Sequence, residues 1–462
     1  MSGHHKSAGD RLAPLGWTEK LGYGLGDAGF NLYWIVIASF LAAFYTEVFG
    51  ISAAAAGTML FVTKIVDAFT DPIMGAVADR TETRFGKFRP YLLFAGLPMA
   101  AAAVLTFTTP DLDETGKLIW AYISYTLMMM MYTVLSTPYS SLSGVMTARS
   151  QDRTTLISLR FLFAFSCGAL VNKFTLPLVD LLGAGNEILG WQLTVALYGA
   201  LATVIFIITF VTTRERISPP PQQNSKPLDD IADLIGNKPW LILFVLAMVI
   251  MMTITMRAGS AYYYFHYYVE RPEFLPDYLF WQMVAYAAGA LLAPVMTRHI
   301  DKPRLLMLLM GIVAVLSTLF FFVPKDMIWA MFTLNILISL ALGPKSPLTW
   351  SMYADTADYN EWRTGRRATA MTFSAATFSQ KLGGALGSAG MLWILAALGY
   401  AANEAQSGAS QTGIALLQTA IPGFFALIAM FVVRGYSLSS DQLASIQSDL
   451  VARSRGEESL EQ

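Results

Sequence analysis

Twelve long apolar stretches constrain this chain more than any other feature of its sequence. Each holds roughly 20 residues or more, which is enough for a helix to cross a hydrocarbon core of about 30 Å. Backbone polar groups must pair internally in a bilayer, so helices are the structure expected for such stretches. The predicted spans are 22–48, 53–78, 91–109, 117–142, 155–181, 190–213, 238–268, 276–297, 304–323, 327–352, 367–398 and 411–435. We therefore predict an all-α membrane protein with twelve transmembrane helices.

The composition agrees with a polytopic membrane protein. Only 14% of the 462 residues are charged and 55% are hydrophobic, whereas a soluble domain has about 25% charged residues. The net charge of −1 gives no basic surface for nucleic acid. The single cysteine, Cys167, excludes an intrachain disulfide. The first span contains Asp27 and Asn31, which is not typical of a cleaved signal peptide.

Basic residues in the loops predict the orientation of the chain, because cytoplasmic loops carry an excess of Lys and Arg. The loops on the opposite side hold only Lys117, Arg271 and Lys325. The two termini are therefore predicted to be cytoplasmic. The loops after the even-numbered spans hold Arg80, Arg84, Lys87, Arg89, Arg149, Arg153, Arg214, Arg216, Lys226, Arg298, Lys302, Arg304, Arg363, Arg366 and Arg367.

A polar, proline-rich segment divides the twelve spans into six and six. We predict an N-terminal bundle over 1–213, a cytoplasmic linker over 214–237, a C-terminal bundle over 238–436 and a cytoplasmic tail over 437–462. The halves echo each other weakly, as in Asp79–Arg84 and Asp301–Arg304 after their second helices. Two pseudo-symmetric halves are typical of a carrier with its site near the midplane. A channel needs no such repeat, although the repeat alone does not exclude one.

Asp67 and Asp71 lie inside the second apolar span, where an ionisable residue is costly and indicates a functional site. They are four residues apart, and Lys64 precedes Asp67 by three, so all three share one helical face. Two ionised carboxylates there would repel each other. We expect one of them to take up a proton, to bind a cation, or to pair with Lys64 or with Lys381. The alternative is a permanent Asp–Lys bridge between helices.

Further ionisable and aromatic residues lie within the spans. The ionisable residues are Asp27, Arg160, Lys173, Arg257, Lys345 and Lys381. Each cation either forms a structural ion pair or contacts a substrate. The aromatic run over 262–268 is typical of an interfacial belt, but aromatic rings also pack against sugars. Tyr33 and Trp34 allow the same two interpretations.

Several motifs together resemble one transporter family. They are Gly24-Leu-Gly-Asp27 with Asn31, Asp67-Ala-Phe-Thr70-Asp71-Pro72, the segment 79–90 from Asp79-Arg80 to Arg89-Pro90, and the segment 354–365 from Ala354-Asp355 to Thr364-Gly365. The chain resembles the melibiose permease-like glycoside-pentoside-hexuronide:cation symporters of the major facilitator superfamily. The resemblance implies a bacterial inner-membrane carrier that couples inward sugar movement to Na⁺ or H⁺. No other cofactor or metal is implied.

The resemblance also carries residue roles onto this sequence. It implies a cation-coupling site of Asp67, Thr70, Asp71, Thr133 and Lys381. Where melibiose permease-type members hold sugar hydroxyls with acidic residues on the first and fourth helices, this chain has Asn31 and Ser136. Arg160 is kept and Arg257 is added, so a neutral glycoside and an anionic hexuronide both stay open. The substrate-contact candidates are Asp27, Asn31, Tyr33, Trp34, Ser136, Arg160, Arg257, Tyr263 and Lys345. Cytoplasmic gating salt bridges are expected among Asp79, Arg80, Arg84, Asp355, Asp358, Glu361 and Arg363.

Other functions fit the sequence less well. Gly24-Leu-Gly26-Asp27 matches the Gly-x-Gly-Asp of intramembrane aspartyl proteases, but no membrane helix precedes it to supply their second aspartate. His266 and His299 are isolated, which does not favour a zinc site, and no phosphate-binding glycine loop is present. A lysolipid carrier of the same fold is the remaining rival. We predict a non-enzymatic sugar carrier that is functional as a monomer in the bilayer.

Overall fold

The structure is a computed structural model that describes residues 14–147, 149–216, 234–365 and 369–461. These residues form helices and connecting loops, apart from one isolated bridge between Thr83 and Gly86. Residues 217–233 of the predicted linker lie outside the described part, as do Arg366 and Arg367. The all-α class predicted from the apolar stretches is confirmed.

Sixteen α-helices follow one another along the described residues, and each predicted span overlaps at least one of them. In chain order they are α1 (Trp17–Ala43), α2 (Ala53–Arg80), α3 (Arg89–Phe94), α4 (Gly96–Thr106), α5 (Glu114–Met146), α6 (Ser150–Gly183), α7 (Glu187–Thr212), α8 (Lys238–Tyr263), α9 (Leu275–Met296), α10 (Lys302–Phe321), α11 (Ile328–Leu342), α12 (Lys345–Thr364), α13 (Thr369–Ala397), α14 (Gly408–Gln418), α15 (Ala420–Arg434) and α16 (Ser440–Glu461). A 3₁₀ turn, Pro272–Phe274, precedes α9.

Ten helical segments of the described chain are long and apolar enough to cross a membrane. Three predicted spans are interrupted, at Ala95, at Gly343 with Pro344, and at Thr419. At the second break Pro344 has no N–H, so the carbonyl of Leu340 loses its helical donor, while Gly343 keeps right-handed helical φ and ψ angles. The interruption leaves α12 to continue the span beyond the predicted boundary at 352, as far as Thr364.

The chain divides into two compact units. The first contains Met1–Pro221, Ala258–Val284 and Ala389–Gly413, and the second contains Gln222–Arg257, Ala285–Ser388 and Ile414–Gln462. The first unit therefore includes the last part of α8, the first part of α9 and the end of α13 in addition to α1–α7. The predicted domain boundaries at 213, 237 and 436 stay predictions.

Helix α1 is the most enclosed element of the first unit. In its most apolar stretch 78% of the residues are buried, against 22–50% in the other nine candidate spans. Glycines allow its neighbours to come close, since a Cβ at Gly22 would lie 1.9 Å from Thr212 Oγ1 and one at Gly26 would lie 2.5 Å from the Tyr139 ring. Small residues support such backbone approach between membrane helices. The packing brings Asp27 of α1 up to α5 and α6.

Two π-helical segments end matching helices of the two sequence halves. Phe44–Val48 follows α1, and Tyr264–Tyr268 follows α8. Each is followed two residues later by a residue with positive φ, Gly50 (82°) and Glu270 (59°). Single-turn π segments are rare and often occur at functional sites. The sequence patterns did not predict them.

Candidate coupling and substrate site

The two carboxylates of α2 share one hydroxyl group. Thr133 Oγ1 of α5 lies 2.8 Å from Asp67 Oδ1 and 3.0 Å from Asp71 Oδ1. Asp67 is 1% exposed, and Asp71 is half-buried. A hydroxyl carries one proton and can donate to one acceptor at a time. Thr133 can therefore donate a hydrogen bond to only one of the two carboxylates at a time.

The backbone of α2 adds oxygen atoms to this group. Thr70 donates its hydroxyl to the carbonyl of Asp67, 2.9 Å away. Pro72 lies inside the helix and has no N–H, so the carbonyl of Ala68 loses its usual helical donor. Carboxylate, hydroxyl and carbonyl oxygens are the ligands that hard cations prefer. The predicted residues Asp67, Thr70, Asp71 and Thr133 thus lie together.

A second charged group joins α1 to α6. Arg160 donates Nε to Asp27 Oδ2 at 2.9 Å and Nη2 to Asp27 Oδ1 at 3.2 Å, a bidentate pair. The guanidinium lies over the Tyr139 ring, 4.8 Å from its centroid, and within 5.8 Å of the Tyr23 ring centroid. Asn31 donates its side-chain N–H to the Asp27 carbonyl, 2.8 Å away. The structure brings these three predicted substrate residues together, and the charge of Arg160 is compensated by Asp27.

An aromatic pair lies beside the charged groups. The Trp34 ring of α1 is 6.0 Å from the Tyr132 ring of α5, centroid to centroid. Lys64 Nζ of α2 lies 4.7 Å from the Trp34 ring centroid. Ser136 is half-buried one turn after Tyr132, and Tyr33 is buried on another side of α1 near Gly199. Trp34 therefore belongs to this region and Tyr33 does not.

Tyr132 is a residue that the sequence reasoning missed. It interacts electrostatically with Asp27, Arg160, Asp67 and Asp71, so it lies within reach of both charged groups. The available signal was its position directly before Thr133, which the resemblance had already assigned. Tyr132 itself is only partly exposed.

Three of the other predicted cations, Arg257, Lys345 and Lys381, lie on helices of the second unit. Arg257 of α8 is 1% exposed and donates Nη2 to Asn335 Oδ1 of α11 at 2.7 Å. Within the described residues, its Nε and Nη1 have no hydrogen-bond acceptor. Lys345 Nζ lies 3.6 Å from Met251 Sδ. Lys381 lies on α13, and its role at the coupling site stays a prediction.

The predicted gating residues occupy varied surroundings. Asp355 forms an ion pair with Lys302, 2.7 Å away, a partner that the sequence reasoning did not name. Arg84 lies over the Phe85 ring at 4.6 Å, and Arg80 is exposed. Arg363 donates to the Gly236 carbonyl.

The other three gating candidates are Asp358, Glu361 and Asp79. Asp358 accepts a bond from Gln447 at 3.3 Å, and Glu361 is half-buried. The side chain of Asp79 lies outside the described part. All the gating assignments stay predictions.

A polar cluster at the end of α1, which we call the Glu47 cluster, was not predicted. It consists of Glu47, Tyr267, Tyr400 and Asn403. The Glu47 carboxylate accepts bonds from Tyr267 Oη at 2.6 Å, from the Asn403 backbone N–H at 3.1 Å and from Tyr400 Oη. Asn403 also donates its side-chain N–H to the Glu47 carbonyl at 2.8 Å. Glu47 and Tyr267 are both the fourth residue of their π segments.

Two further contacts lie near the Glu47 cluster in the first unit. Thr46 and Tyr263 share a hydrogen bond between their hydroxyls, 2.9 Å apart. Tyr263, a predicted substrate residue, is fully buried and contacts the Tyr400 ring edge at 5.3 Å. Lys173 of α6 pairs with Asp277 of α9. The loop after α13 and the ends of α8 and α9 are thus bound to α1 and α6.

The membrane-spanning helices, with two carboxylates inside one of them, are those of a membrane carrier rather than an enzyme. The chain matches the family described as MFS/sugar transport protein over residues 22–440. It therefore belongs to that family, whose resemblance was read from the motifs of α1, α2 and α12. It is a cation-coupled sugar symporter.

Relatives of known name cover nearly the whole chain. The inner membrane symporter YicJ of Escherichia coli (strain K12) is 37% identical over 443 residues, covering 96% of each chain. The isoprimeverose transporter of Lactiplantibacillus pentosus is 32% identical and covers 93% of this chain and 91% of the relative. The solved structure of a D-xylose-proton symporter superimposes with a TM-score of 0.65 over 91% of this chain and 99% of its own, at 16% identity. That likeness shows the fold.

Proposed function

We propose that Asp67, Asp71 and Thr133, with Thr70 beside them, form the ion-coupling site of this symporter. The observation that carries the proposal is the shared donor: Thr133 Oγ1 contacts both carboxylates, at 2.8 and 3.0 Å. Because one proton serves one acceptor, an added positive charge relieves the repulsion between Asp67 and Asp71. A proton on one carboxylate or a Na⁺ among the oxygens supplies it. The donor set fits either ion.

The coupling then follows from thermodynamic reciprocity. An ion bound at Asp67 and Asp71 relieves their repulsion and holds α2 against α5. Tyr132 of the proposed sugar site is the neighbour of Thr133 on α5. If this raises sugar affinity, the sugar raises ion affinity by the same factor. The two solutes therefore cross together.

We place the sugar beside the Asp27–Arg160 pair, with Trp34 and Tyr132 as its aromatic wall and with Asn31 and Ser136 as polar neighbours. Arg160 already has its charge compensated by Asp27, at 2.9 and 3.2 Å. A compensated guanidinium attracts a carboxylate weakly but can still donate to hydroxyl oxygens. This supports a neutral glycoside, in keeping with the relative that is named an isoprimeverose transporter.

One observation favours the anionic alternative. Arg257 is a buried cation with two nitrogens that have no acceptor among the described residues. Such a group gains most from a carboxylate, which arginine can hold through two hydrogen bonds. A hexuronide is therefore retained as the second candidate substrate class.

A ligand panel distinguishes the two substrate classes. We expect isoprimeverose to raise the melting temperature of the purified protein more than methyl glucuronide does, and the shift to grow when Na⁺ or acid pH is supplied. The measurement is a thermal-shift series with both sugars in Na⁺ and in choline buffer. Stabilisation by the glucuronide alone, lost in Arg257→Ala, would replace the neutral class by the anionic one.

The orientation and an outer gate complete the proposal. Basic loops after the even-numbered spans support cytoplasmic termini, and in that orientation the Glu47 cluster faces outward. Its bonds join α1 to the end of α8 and to the loop after α13, elements of the two sequence halves. We propose that these bonds must break when the carrier opens outward. Function as a monomer is part of the same proposal.

Glu47→Gln is expected to open this gate more often. The amide keeps one acceptor oxygen where the carboxylate accepts bonds from three donors, and a charge-assisted bond is worth about 1.5–3 kcal/mol.

Cys167→Ser gives a cysteine-free protein, in which Thr46→Cys reports the opening through an impermeant maleimide. We expect labelling to accelerate by about tenfold or more. Glu273→Gln, which removes an exposed glutamate paired with Arg271 at 3.8 Å, is the control. Equal labelling rates in Glu47→Gln and Glu273→Gln would contradict the gate.

A further inference from the structure

Lys64 of α2 lies between the proposed ion site and the proposed sugar site. It precedes Asp67 by three residues and Asp71 by seven, so it lies on the carboxylate face of the helix. Its ammonium nevertheless lies over the ring of Trp34 on α1, with Nζ 4.7 Å from the centroid. The sequence spacing left a carboxylate partner open as one alternative and gave no sign of the aromatic ring.

The surroundings of the Lys64 ammonium include soft, polarisable groups. Besides the Trp34 ring, Nζ contacts Met129 Sδ of α5 at 3.7 Å. Trp34 in turn lies 6.0 Å from Tyr132, ring centroid to centroid. An ammonium over an indole is attracted by the ring quadrupole, and the attraction strengthens where water is excluded. The ammonium therefore holds the orientation of Trp34.

The contact between the Lys64 ammonium and the Trp34 ring depends on the charge of the two carboxylates of α2. Asp67 and Asp71 attract the Lys64 ammonium when they are ionised, and the strength of that attraction falls with the dielectric of the site. A proton or a Na⁺ at the carboxylates reduces their negative charge. Their attraction for the Lys64 ammonium then weakens, and the ammonium interacts more strongly with the Trp34 ring. Both partners compete for one cation, so filling the ion site strengthens the contact with Trp34.

We propose that Lys64 is the positioning residue that transmits ion occupancy at Asp67 and Asp71 to the aromatic wall of the sugar site. The proposal rests on the function proposed above, because it requires the ion at α2 and the sugar beside Trp34. It assigns the coupling to one contact between α2 and α1. The sugar itself need not touch Lys64.

Tryptophan fluorescence tests this link without a sugar. The chain has ten tryptophans, and the difference between the wild type and Trp34→Phe isolates the signal of Trp34. We expect that signal to change when Na⁺ replaces choline, or on acidification without Na⁺ if the proton is the coupling ion. Lys64→Gln should abolish the change, whereas ion-induced thermal stabilisation persists. Lys64→Arg should retain it, and Lys117→Gln, which alters a lysine that bonds the Phe49 carbonyl, is the matched control.

A second measurement uses isoprimeverose as the probe. The ratio of its Kd values without and with the ion should fall in Lys64→Gln by about 2- to 30-fold, the range of a cation–π contact. Affinity lost equally in the two conditions would mean a structural role and would overturn the proposal. An ion-dependent Trp34 signal that survives Lys64→Gln, or a wild type without one, would also overturn it. An ion response that survives Asp71→Asn would instead count against the proposed ion site.

Discussion

Replacing Asp71 by asparagine is expected to abolish sugar accumulation while exchange of sugar across the membrane continues. The substitution keeps the shape of the side chain but removes one of the two charges that share Thr133 Oγ1. The repulsion that an ion relieves then disappears. Ion binding no longer favours sugar binding, so the two solutes are no longer coupled. Couplings between ligands are typically about 5- to 150-fold in affinity, and this factor should fall to near unity.

Proteoliposomes provide the measurement. Uptake of labelled isoprimeverose is followed under an imposed Na⁺ or pH gradient, and exchange is followed with preloaded vesicles and no gradient. Asp180→Asn, which alters an exposed carboxylate at the end of α6, should accumulate sugar as the wild type does. Continued accumulation by Asp71→Asn against a gradient would show that the coupling site lies elsewhere.

Breaking the Asp27–Arg160 pair should have the second largest effect, and on two properties that can be separated. Arg160→Gln or Asp27→Asn leaves one charge without its partner in a site where the side chains are only 25% and 17% exposed. Such a loss costs about 3 kcal/mol or more when the pair is buried. The double variant Asp27→Asn/Arg160→Gln removes both charges, so it should be more stable than either single variant.

Sugar binding should not recover with stability. If Arg160 donates to sugar hydroxyls, its loss weakens isoprimeverose binding by about 10- to 150-fold, the value of hydrogen bonds from a charged donor. Melting temperature and Kd are measured on the same four proteins. Lys173→Gln/Asp277→Asn removes a pair whose side chains are 36% and 45% exposed and should change little. A double variant that binds sugar normally would limit Arg160 to a structural role.

Much of the proposed coupling site could be predicted from the sequence because three of its residues, Asp67, Thr70 and Asp71, lie on one helix. The spacing of Asp67 and Asp71 puts them on one face, and their cost in a bilayer marks them as functional. Thr133 was supplied by the family resemblance, and the structure brings it within 3.0 Å of both. Tyr132 was missed because its neighbours Trp34 and Asp27 lie on another helix, so that only the packing of α1 against α5 singles it out from the other aromatic residues of the spans.

The partner of Lys64 shows the limit of helical spacing. Residues three and four apart are neighbours on a helix, so a pair between Lys64 and a carboxylate of α2 was one of the alternatives that the sequence left open. A lysine side chain is long and flexible, and the position of α1 decides whether an aromatic ring is also nearby. The contact with Trp34 depends on the packing of α1 against α2 and α5, which no local pattern describes.

The Glu47 cluster shows the same limit over a greater distance. Its members are separated by more than 350 residues along the chain, from Glu47 to Asn403. Glu47 and Tyr267 each lie in a π segment, and a one-residue change in helical register is not visible in hydropathy. The proposed gate can be recognised only when the ends of these helices are seen together.

The sequence by itself determined the membrane class, the helical fold, the family and the carboxylate pair of α2. It could do so because a bilayer forces backbone hydrogen bonds into helices and makes each buried charge costly. Only the tertiary structure decided which distant groups the charged residues contact: Arg160 pairs with Asp27, Lys64 lies over the Trp34 ring, and Glu47 accepts hydrogen bonds from tyrosines of distant segments. Side-chain partners are set by how helices pack, and packing depends on contacts between residues far apart in the chain.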